Sequence, residues 1–168
     1  MHASSEELRA ALVGLLPRLR RFARALARDH HDADDLVQLA VERALLRSAQ
    51  LRTDAPLANW MFGILRHAWL DELRARGRRA QLFVPAEAAA QVGDTSQGEH
   101  ADTLAVQDAL ARLPEEQRAA VALVLIEGLS YKEAAYVMEV PIGTLTSRLA
   151  RGREALQEML GESPGALR

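Results

Sequence analysis

The chain has 168 residues, 49% of them hydrophobic, and a formal net charge of −2, so it suits one or two small domains with real cores. It contains no cysteine, which excludes a disulfide framework and a thiolate zinc site and fits a reducing compartment. Its N-terminal stretch is too polar for a signal peptide and it has no apolar run long enough to span a bilayer, so we expect a cytoplasmic protein without membrane insertion.

The first helical pattern begins close to the N-terminus. Ser4 followed three residues later by Glu7 is a capping-box pattern, which starts a helix. Apolar residues then recur at helical spacing: Leu8, Leu12, Leu15, Leu19, Phe22 and Leu26. Because Pro17 interrupts this stripe, we expect a short helix ending near Gly14 and a second helix beginning at about Pro17.

The next segment predicts a loop and a further helix. We expect residues 30–32 to form the loop and Asp32 to cap a helix from Ala33 to about Ser48. Its expected core face consists of Leu36, Val37, Ala40, Val41, Ala44 and Leu45. After a loop at 51–55, Pro56 can begin a long helix that carries both tryptophans and ends in an arginine-rich run at 74–79.

The middle of the chain differs in composition. Residues 84–101 lack periodic apolar positions and mix alanine, glutamine, glycine and acids, which is typical of a linker. The net charge is +4 over residues 1–83, −4 over 84–113 and −2 over 114–168. Local basic strips without a global excess favour weak DNA binding alone and stronger binding within a larger complex.

Helical spacing resumes after the linker and no strand-like alternation occurs. We expect a helix from Asp102 to Arg112, a break at Leu113 and Pro114, and a helix from Pro114 to Glu127 that Gly128 ends. The sequence therefore predicts an all-α fold of two small domains, at 1–83 and 102–168, joined by a flexible linker at 84–101.

The segment 129–156 predicts a helix-turn-helix. Ser130 and Glu133 form a second capping box, and Val140 with Pro141 stops the first helix. The apolar inner side of this helix consists of Ala134, Ala135, Val137 and Met138. We expect the second helix to bury Ile142, Leu145, Leu149 and Leu156.

The second helix leaves hydroxyls and arginines on its more polar sides. These residues are Thr144, Thr146, Ser147, Arg148, Arg151 and Arg153. Hydroxyls and guanidinium groups suit base edges and phosphates in a major groove. The alternative is an ordinary amphipathic helix pair in an all-helical domain.

Four segments of the chain are distinctive in combination: DADDLVQ at 32–38, NWMFGILRHAWLDELR at 59–74, LPEEQRAAVALVLIEGLSYKEAA at 113–135 and PIGTLTSRLARGREAL at 141–156. Together they resemble the extracytoplasmic-function (ECF) sigma factors, the small promoter-recognition subunits of bacterial RNA polymerase. The resemblance covers nearly the whole chain and implies sigma domain 2, a linker and sigma domain 4. LLPRLRRFARALARDHHDADDLVQ further resembles the alphaproteobacterial general-stress branch.

The resemblance implies a role for each matching position. The residues that would dock on the clamp helices of core RNA polymerase are Asp34, Asp35, Leu36, Val37 and Gln38. Acids beside apolar groups suit a basic helical partner, with Leu36 or Val37 filling a pocket. The alternative reading of this segment is a helix cap followed by a core stripe.

For the minus-ten element, the resemblance implies recognition and melting by the aromatic helix. The matching residues are Trp60, Phe62, Arg66, His67 and Asp71, with Arg74, Arg76, Arg78 and Arg79 on the strand backbone. Planar side chains beside positive charge can capture unstacked bases. Core packing is the alternative for Trp60 and Trp69. Relatives commonly have asparagine in place of His67, which leaves the preferred base open.

For the minus-thirty-five element, the matching positions are Thr146, Ser147, Ala150 and Arg151, with Thr144, Arg148 and Arg153 nearer the backbone or the domain's own helices. Relatives often carry lysine or arginine in place of Thr146, so the promoter sequence cannot be copied from them. The acidic linker would thread near the polymerase cleft, although a solvated tether fits its composition equally well.

The resemblance implies core RNA polymerase, promoter DNA and an anti-sigma factor as partners, with no cofactor, small-molecule substrate or enzymatic activity. A sigma-like decoy that binds an anti-sigma factor without touching DNA is the alternative function, although such proteins usually carry a receiver domain. A metal enzyme is disfavoured. Residues 30–35 contain histidines and carboxylates, and His67 and Asp71 share a helix face, but no nucleophile or phosphate loop completes a site.

Overall fold

The computed structural model describes residues 4–52, 54–82 and 101–161. Every regular element in these ranges is helical, which confirms the all-α prediction. The elements are α1 (Ser5–Leu26), α2 (His30–Leu46), a 3₁₀ turn (Ser48–Gln50), α3 (Leu57–Leu82), α4 (Ala101–Arg112), α5 (Glu115–Val121), a π-helical turn (Ala122–Ile126), α6 (Tyr131–Met138) and α7 (Ile142–Leu160). The expected linker lies outside the described residues up to Ala101, where α4 begins. Within the described ranges, no helix has the length and apolar character needed to cross a membrane.

Helix α1 is continuous through Pro17, so the predicted break between Gly14 and Pro17 is wrong. The proline removes one backbone hydrogen bond and costs about 3 kcal/mol. Against this, a single helix buries a shared face, and each large apolar side chain on it contributes about 1.5–3 kcal/mol. The buried residues lie on both sides of Pro17: Leu8, Leu12, Leu19, Phe22, Ala23 and Leu26. Burial therefore outweighs the local penalty. The predicted capping box at Ser4 and Glu7 is present.

Helix α2 begins earlier than its sequence pattern predicts. The N-cap is Asp29, whose carboxylate accepts hydrogen bonds from the amides of His31 (2.6 Å) and Asp32 (3.3 Å). The predicted loop at 30–32 is thus the first turn of the helix, and Asp32 is not its cap. An aspartate three residues upstream competed for the same role, since either carboxylate can satisfy the free amides of a helix start.

The N-terminal helices α1, α2 and α3 pack around an aromatic pair. The rings of Phe22 and Phe62 meet edge to face, with centroids 5.1 Å apart, and the guanidinium of Arg18 lies 5.2 Å from the centroid of Phe62. Helix α3 starts at Leu57, directly after Pro56, as predicted. Residues in the first half of α3 also contact the C-terminal helices, including α6.

The C-terminal helices pack closely because Gly152 of α7 lies against α5. A Cβ built on Gly152 would come within 2.7 Å of Val121 Cγ2 and 3.3 Å of the carbonyl oxygen of Gln117. Helix α5 continues into the π-helical turn, in which the amide of Glu127 donates to the carbonyl of Ala122 (2.9 Å). The π-helical turn continues the helix to Ile126, one residue before the end at Glu127 that was predicted from Gly128.

The helix-turn-helix has the predicted capping box at Ser130 and Glu133, but its turn differs from the prediction. Helix α6 ends at Met138, and Glu139 adopts the left-handed region with φ 55°. Leu145, Leu149 and Leu156 are buried as expected. Ile142 was expected in the core but is 50% exposed, because it lies in the first turn of α7 before that helix reaches its neighbours.

The N-terminal and C-terminal helices are in contact through buried polar groups. The side chain of Glu127 is fully buried and accepts hydrogen bonds from Arg18 Nε (3.2 Å) and Arg21 Nε (2.8 Å) of α1. Arg118 of α5 donates to the carbonyl of Leu26 at the end of α1 (3.0 Å). With two guanidinium partners, this buried carboxylate has neither an unpaired charge nor an orphaned acceptor.

Candidate nucleic-acid interface

Helix α7 presents two adjacent rows of exposed residues on one face. One row contains Ile142, Thr146 and Ala150, and the other contains Gly143, Ser147 and Arg151. Residues four apart lie above one another on a helix, so these rows form a continuous strip. The strip holds all four positions implied for the minus-thirty-five element. Ile142 adds an apolar group to this strip, although its spacing in the sequence predicted a core position. An exposed apolar side chain can contact the methyl group of thymine.

The two hydroxyls on this strip are held by the helix itself. Thr146 Oγ1 donates to the carbonyl of Ile142 (2.8 Å), and Ser147 Oγ donates to the carbonyl of Gly143 (3.0 Å). Each hydroxyl oxygen keeps its acceptor capacity towards an outside donor. This arrangement favours contact with exocyclic amino groups or with a guanidinium rather than with phosphate.

The remaining polar residues of α7 are set further back. Thr144, Arg148 and Arg153 are half-buried, as expected for positions near the domain's own helices. Arg148 pairs with Glu116 of α5. The Nε of Arg153 is buried without a hydrogen-bond partner among the described residues.

On α2, the structure separates the predicted docking residues into two groups. Asp34, Asp35 and Gln38 are exposed, whereas Leu36 and Val37 are buried in the core. The expectation that Leu36 or Val37 fills a partner's pocket is therefore wrong, because both side chains already pack between α2 and its neighbours.

The exposed apolar group of this face is Leu39, which the sequence pattern gave no reason to select. Arg20 and Arg24 of α1 line a groove together with Asp34 and Gln38 of α2. The face thus carries both charge signs, whereas the acids on α2 alone indicated a purely basic partner.

Two aromatic residues of α3 belong to the core. Phe62 is fully buried against Phe22, which removes it from the candidate contacts with DNA. Trp69 is also buried, and its indole N–H donates to Glu115 Oε1 of α5 at 2.8 Å. For Trp69 the alternative of core packing is correct. Trp60 is half-buried and lies at the edge of an open groove between α3 and α6.

Carboxylates of the C-terminal helices meet polar residues of α3 along one line, which we call the seam. Arg66 Nη2 pairs with Glu116 Oε2 at 3.3 Å, and the side chain of Arg66 is only 7% exposed. The other two pairs are Asn59 Nδ2 with Glu133 Oε1 at 3.3 Å, and His67 Nε2 with Glu139 Oε2 at 3.4 Å. The predicted minus-ten residues Arg66 and His67 therefore face helices α5 and α6 in this arrangement.

The seam borders a groove of about 560 Å³ that is lined by both polar and apolar residues. From α3 it is lined by Asn59, Trp60, Gly63, Ile64 and His67, and from the C-terminal helices by residues 135–137 and 139–141. The groove is open to solvent, so the half-buried Trp60 remains reachable from outside.

The arginine run at the end of α3 is exposed and largely paired with acids. Arg76 pairs with Asp32 (2.8 Å) and Glu72 (2.9 Å), and Arg79 also pairs with Glu72 (3.1 Å). Asp71 pairs with Arg74 at 3.4 Å and with Arg43 of α2 at 3.0 Å. Arg78 is exposed. These surface pairs are individually weak, so phosphates can compete for the guanidinium groups.

Two carboxyls that accept hydrogen bonds from residues of α3 have shifted pKa values. Burial raises the pKa of Glu115, an effect opposed by Arg118 and by the hydrogen bond from Trp69. The backbone amide of Ser130 lowers the pKa of Glu133, and the amide of Asn59 adds to this effect. In the described part of the chain, no group of three or more histidine, cysteine or carboxylate side chains is placed to hold a metal ion.

Two models of known families match parts of the chain. The family model described as "Sigma-70, region 4" matches residues 103–156, and the one described as "Sigma2 domain of PhyR" matches residues 12–66. The first match covers α4 to most of α7, and the second covers most of α1, all of α2 and the first part of α3.

Two curated relatives are similar over most of their length. The ECF RNA polymerase sigma factor SigM of Mycobacterium tuberculosis is 42% identical over 144 residues, covering 85% of this chain and 71% of the relative. The ECF RNA polymerase sigma factor EcfG of Rhodopseudomonas palustris is 33% identical over 156 residues, covering 93% of this chain and 86% of the relative.

Solved structures show the same architecture. The sigma factor RpoE in complex with the anti-sigma factor NepR, from Bartonella quintana, matches with a TM-score of 0.80 and 33% identity, covering 93% of this chain and 98% of that one. The PhyRSL–NepR complex from Sphingomonas sp. Fr1 matches with a TM-score of 0.63 and 26% identity, covering 88% and 85% of the two chains.

Proposed function

Because the chain belongs to the ECF RNA polymerase sigma factors, we propose that it binds core RNA polymerase in the cytoplasm and directs it to stress-type promoters. Its own residues then position the enzyme on DNA and perform no catalytic chemistry. Residues 1–83 serve as sigma domain 2 and residues 102–168 as sigma domain 4. The observation that carries this function is the exposed strip of α7, which joins hydroxyls, an arginine and small residues on one face of a helix-turn-helix.

In the C-terminal domain, α7 enters the major groove of the minus-thirty-five element. Arg151 supplies a guanidinium for a base edge or phosphate, and Thr146 and Ser147 offer hydroxyl oxygens. Ala150 permits close approach of the helix. Arg148, held by Glu116, is placed to reach the backbone rather than a base.

In the N-terminal domain, the exposed residues of α2 dock on core polymerase. Asp34, Asp35 and Gln38 provide charge and hydrogen bonding, and Leu39 provides the apolar contact that Leu36 and Val37 cannot. Charge complementarity at such an interface mainly increases the rate of encounter, whereas the buried apolar group slows dissociation.

The minus-ten element is read by α3. Trp60 and His67 lie on its accessible edge, and the arginines at 74–79 follow along the same helix. The half-buried indole of Trp60 can stack on an unpaired base while the arginines hold the strand backbone.

Control by an anti-sigma factor follows from the relatives, since RpoE of Bartonella quintana and PhyRSL of Sphingomonas were both solved with NepR. This similarity and that to EcfG support the general-stress branch. The match of residues 12–66 to the Sigma2 domain of PhyR also favours a second candidate function, a decoy that sequesters an anti-sigma factor without binding DNA.

Reconstituted transcription with purified bacterial core enzyme on a genomic promoter library tests the function. The chain should direct initiation at a defined subset of templates. Arg151→Ala should reduce that initiation about tenfold or more while binding to core stays unchanged, because a well-placed guanidinium contributes roughly 1–3 kcal/mol of discrimination. Arg9→Ala, an exposed arginine on α1, is the matched control.

The docking face is tested separately. Asp35→Ala with Leu39→Ala should weaken binding to core, and both residues are exposed, so the fold should be retained. Leu36→Ala would not serve, because a cavity in the core costs about 2–5 kcal/mol by itself. A parent chain that bound an anti-sigma partner but gave no initiation on any template would establish the decoy function instead.

A further inference from the structure

One carboxylate contacts arginines from both helices assigned to DNA. Glu116 of α5 accepts from Arg66 of α3 at 3.3 Å and also pairs with Arg148 of α7. The side chain of Glu116 is 43% exposed, and Arg66, at 7%, is almost completely buried. Arg66 therefore has its charge balanced inside the protein only as long as the two sets of helices remain together.

Opening the seam would change the surroundings of Arg66 most. A buried guanidinium without its partner is strongly unfavourable, so loss of Glu116 favours movement of Arg66 into solvent. Arg148 has a different position, since both it and Glu116 belong to the C-terminal helices and can stay paired when the seam opens. Of the two pairs that Glu116 makes, only the pair with Arg66 therefore joins the N-terminal helices to the C-terminal helices.

The carboxylates of the seam also resemble a nucleic-acid backbone in their chemistry. Glu116 and Glu139 place negative oxygens against Arg66 and His67, and a phosphate would occupy the same position relative to a guanidinium. Since both cannot occupy one site, the closed arrangement and contact of this part of α3 with DNA exclude each other.

Resting on the proposed function, we propose that the described arrangement is an autoinhibited state in which Glu116 is the latch. The C-terminal helices cover part of the minus-ten face of α3 until core polymerase or DNA separates them. Neutralising Glu116 shifts the free chain towards an open state in which α3 is accessible. The apparent affinity for a strand that binds only the open state rises in proportion to the open fraction.

The closed state can be measured directly in the full-length chain. Because the sequence has no cysteine, donor and acceptor dyes can be attached at Leu46→Cys on α2 and Glu154→Cys on α7, both exposed and both outside the seam. Single-molecule energy transfer then reports the separation of the two sets of helices. Glu116→Gln should increase the low-transfer population about threefold to tenfold, and Glu116→Lys should increase it more.

Strand binding by the free chain gives the second readout, with a fluorescein-labelled random-sequence single-stranded oligonucleotide as the probe. Glu116→Gln and Glu116→Lys should tighten binding in the same order. Glu158→Gln and Glu158→Lys make the same charge changes at an exposed position of α7, so they control for general attraction. Equal energy transfer in the parent and both Glu116 variants would overturn the proposal, as would affinity gains no larger than in the controls.

The same proteins separate this inference from the function it rests on. Transcription with core enzyme reports the proposed function, whereas energy transfer in the free chain reports the latch. A parent that fails to initiate on any template refutes the function even if the Glu116 variants open. Normal initiation combined with an unchanged transfer distribution refutes the latch alone.

Discussion

Substituting Gly152 by alanine tests how the helix that carries the minus-thirty-five strip is held. Alanine would place a methyl group 2.7 Å from Val121 Cγ2 and 3.3 Å from the backbone oxygen of Gln117. Val121 is buried in α5, where a β-branched side chain has essentially one favourable rotamer, so it cannot turn away. The helix backbone of α5 cannot yield locally either. Helix α7 must therefore move outwards.

Two opposing effects set the size of the change. Alanine in a helix interior is favoured over glycine by about 0.8–1 kcal/mol. Overpacking of a core contact costs about 1–3 kcal/mol. We therefore expect Gly152→Ala to lower the free energy of unfolding by up to about 2 kcal/mol relative to the parent, and by about 1–3 kcal/mol relative to a variant that gains the alanine preference without the clash. In a domain of roughly 60–100 residues, such as that proposed for residues 102–168, each 1 kcal/mol corresponds to about 4–8 °C in Tm.

Chemical unfolding followed by circular dichroism measures this change, with Gly143→Ala as the matched control in the same helix. A Cβ on Gly143 meets nothing within 4 Å, so that variant should equal or exceed the parent in stability. Val121→Ala should relieve the clash in a double-mutant cycle, with a favourable coupling energy of about 0.5–3 kcal/mol. If Gly152→Ala were as stable as Gly143→Ala and its effect added to that of Val121→Ala, the close-packing argument would be refuted.

Three further substitutions have defined outcomes. Arg118→Ala should destabilise the fold by at least about 3 kcal/mol in urea unfolding, because it frees four helix-terminal carbonyls, and Arg118→Lys should recover little since it lacks the planar fork. Ser130→Ala should lower the free energy of unfolding by about 1 kcal/mol through loss of the capping box, whereas Ser130→Asp should keep most of the capping stabilisation. Burial raises the pKa of Glu115, so the folded state holds a proton to higher pH than the unfolded state and its contribution is lost as pH rises through the folded pKa. In urea unfolding from acid to neutral pH, the free energy of unfolding should fall less with rising pH in Glu115→Gln than in the parent. An unchanged pH dependence would contradict the raised pKa of Glu115.

Local patterns in the sequence predicted the helix starts that depend on neighbouring residues. The capping boxes at Ser4 and Ser130 are both formed, because a hydroxyl and a glutamate three residues apart satisfy each other's backbone amides without help from the rest of the fold. The break at Pro17 was predicted on the same local basis and is absent. There the decisive energy comes from a face buried against α2 and α3, which no local pattern contains.

The candidate site was less predictable than the fold, for a related reason. The resemblance assigned Phe62 and Leu36 to partners by position, but a side chain can serve a partner only if the fold leaves it outside. Ile142 shows the opposite error, since its spacing from Leu145 and Leu149 is that of a core residue and only its place in the first turn exposes it. The role of Glu116 depends on two arginines 50 and 32 residues away, which the sequence alone does not bring together.

The π-helical turn at Ala122–Ile126 has a consequence for insertions and deletions. It accommodates one more residue than an α-helical turn, and it lies immediately before Glu127. Because the turn itself takes up the extra residue, removing a single residue from it would let the α-helix continue unbroken and leave Glu127 facing nearly the same direction, whereas a deletion that is not absorbed rotates a helical residue by about 100°. The carboxylate would then keep its alignment with Arg18 and Arg21, so this turn can absorb the loss of one residue without removing the buried counterion of α1.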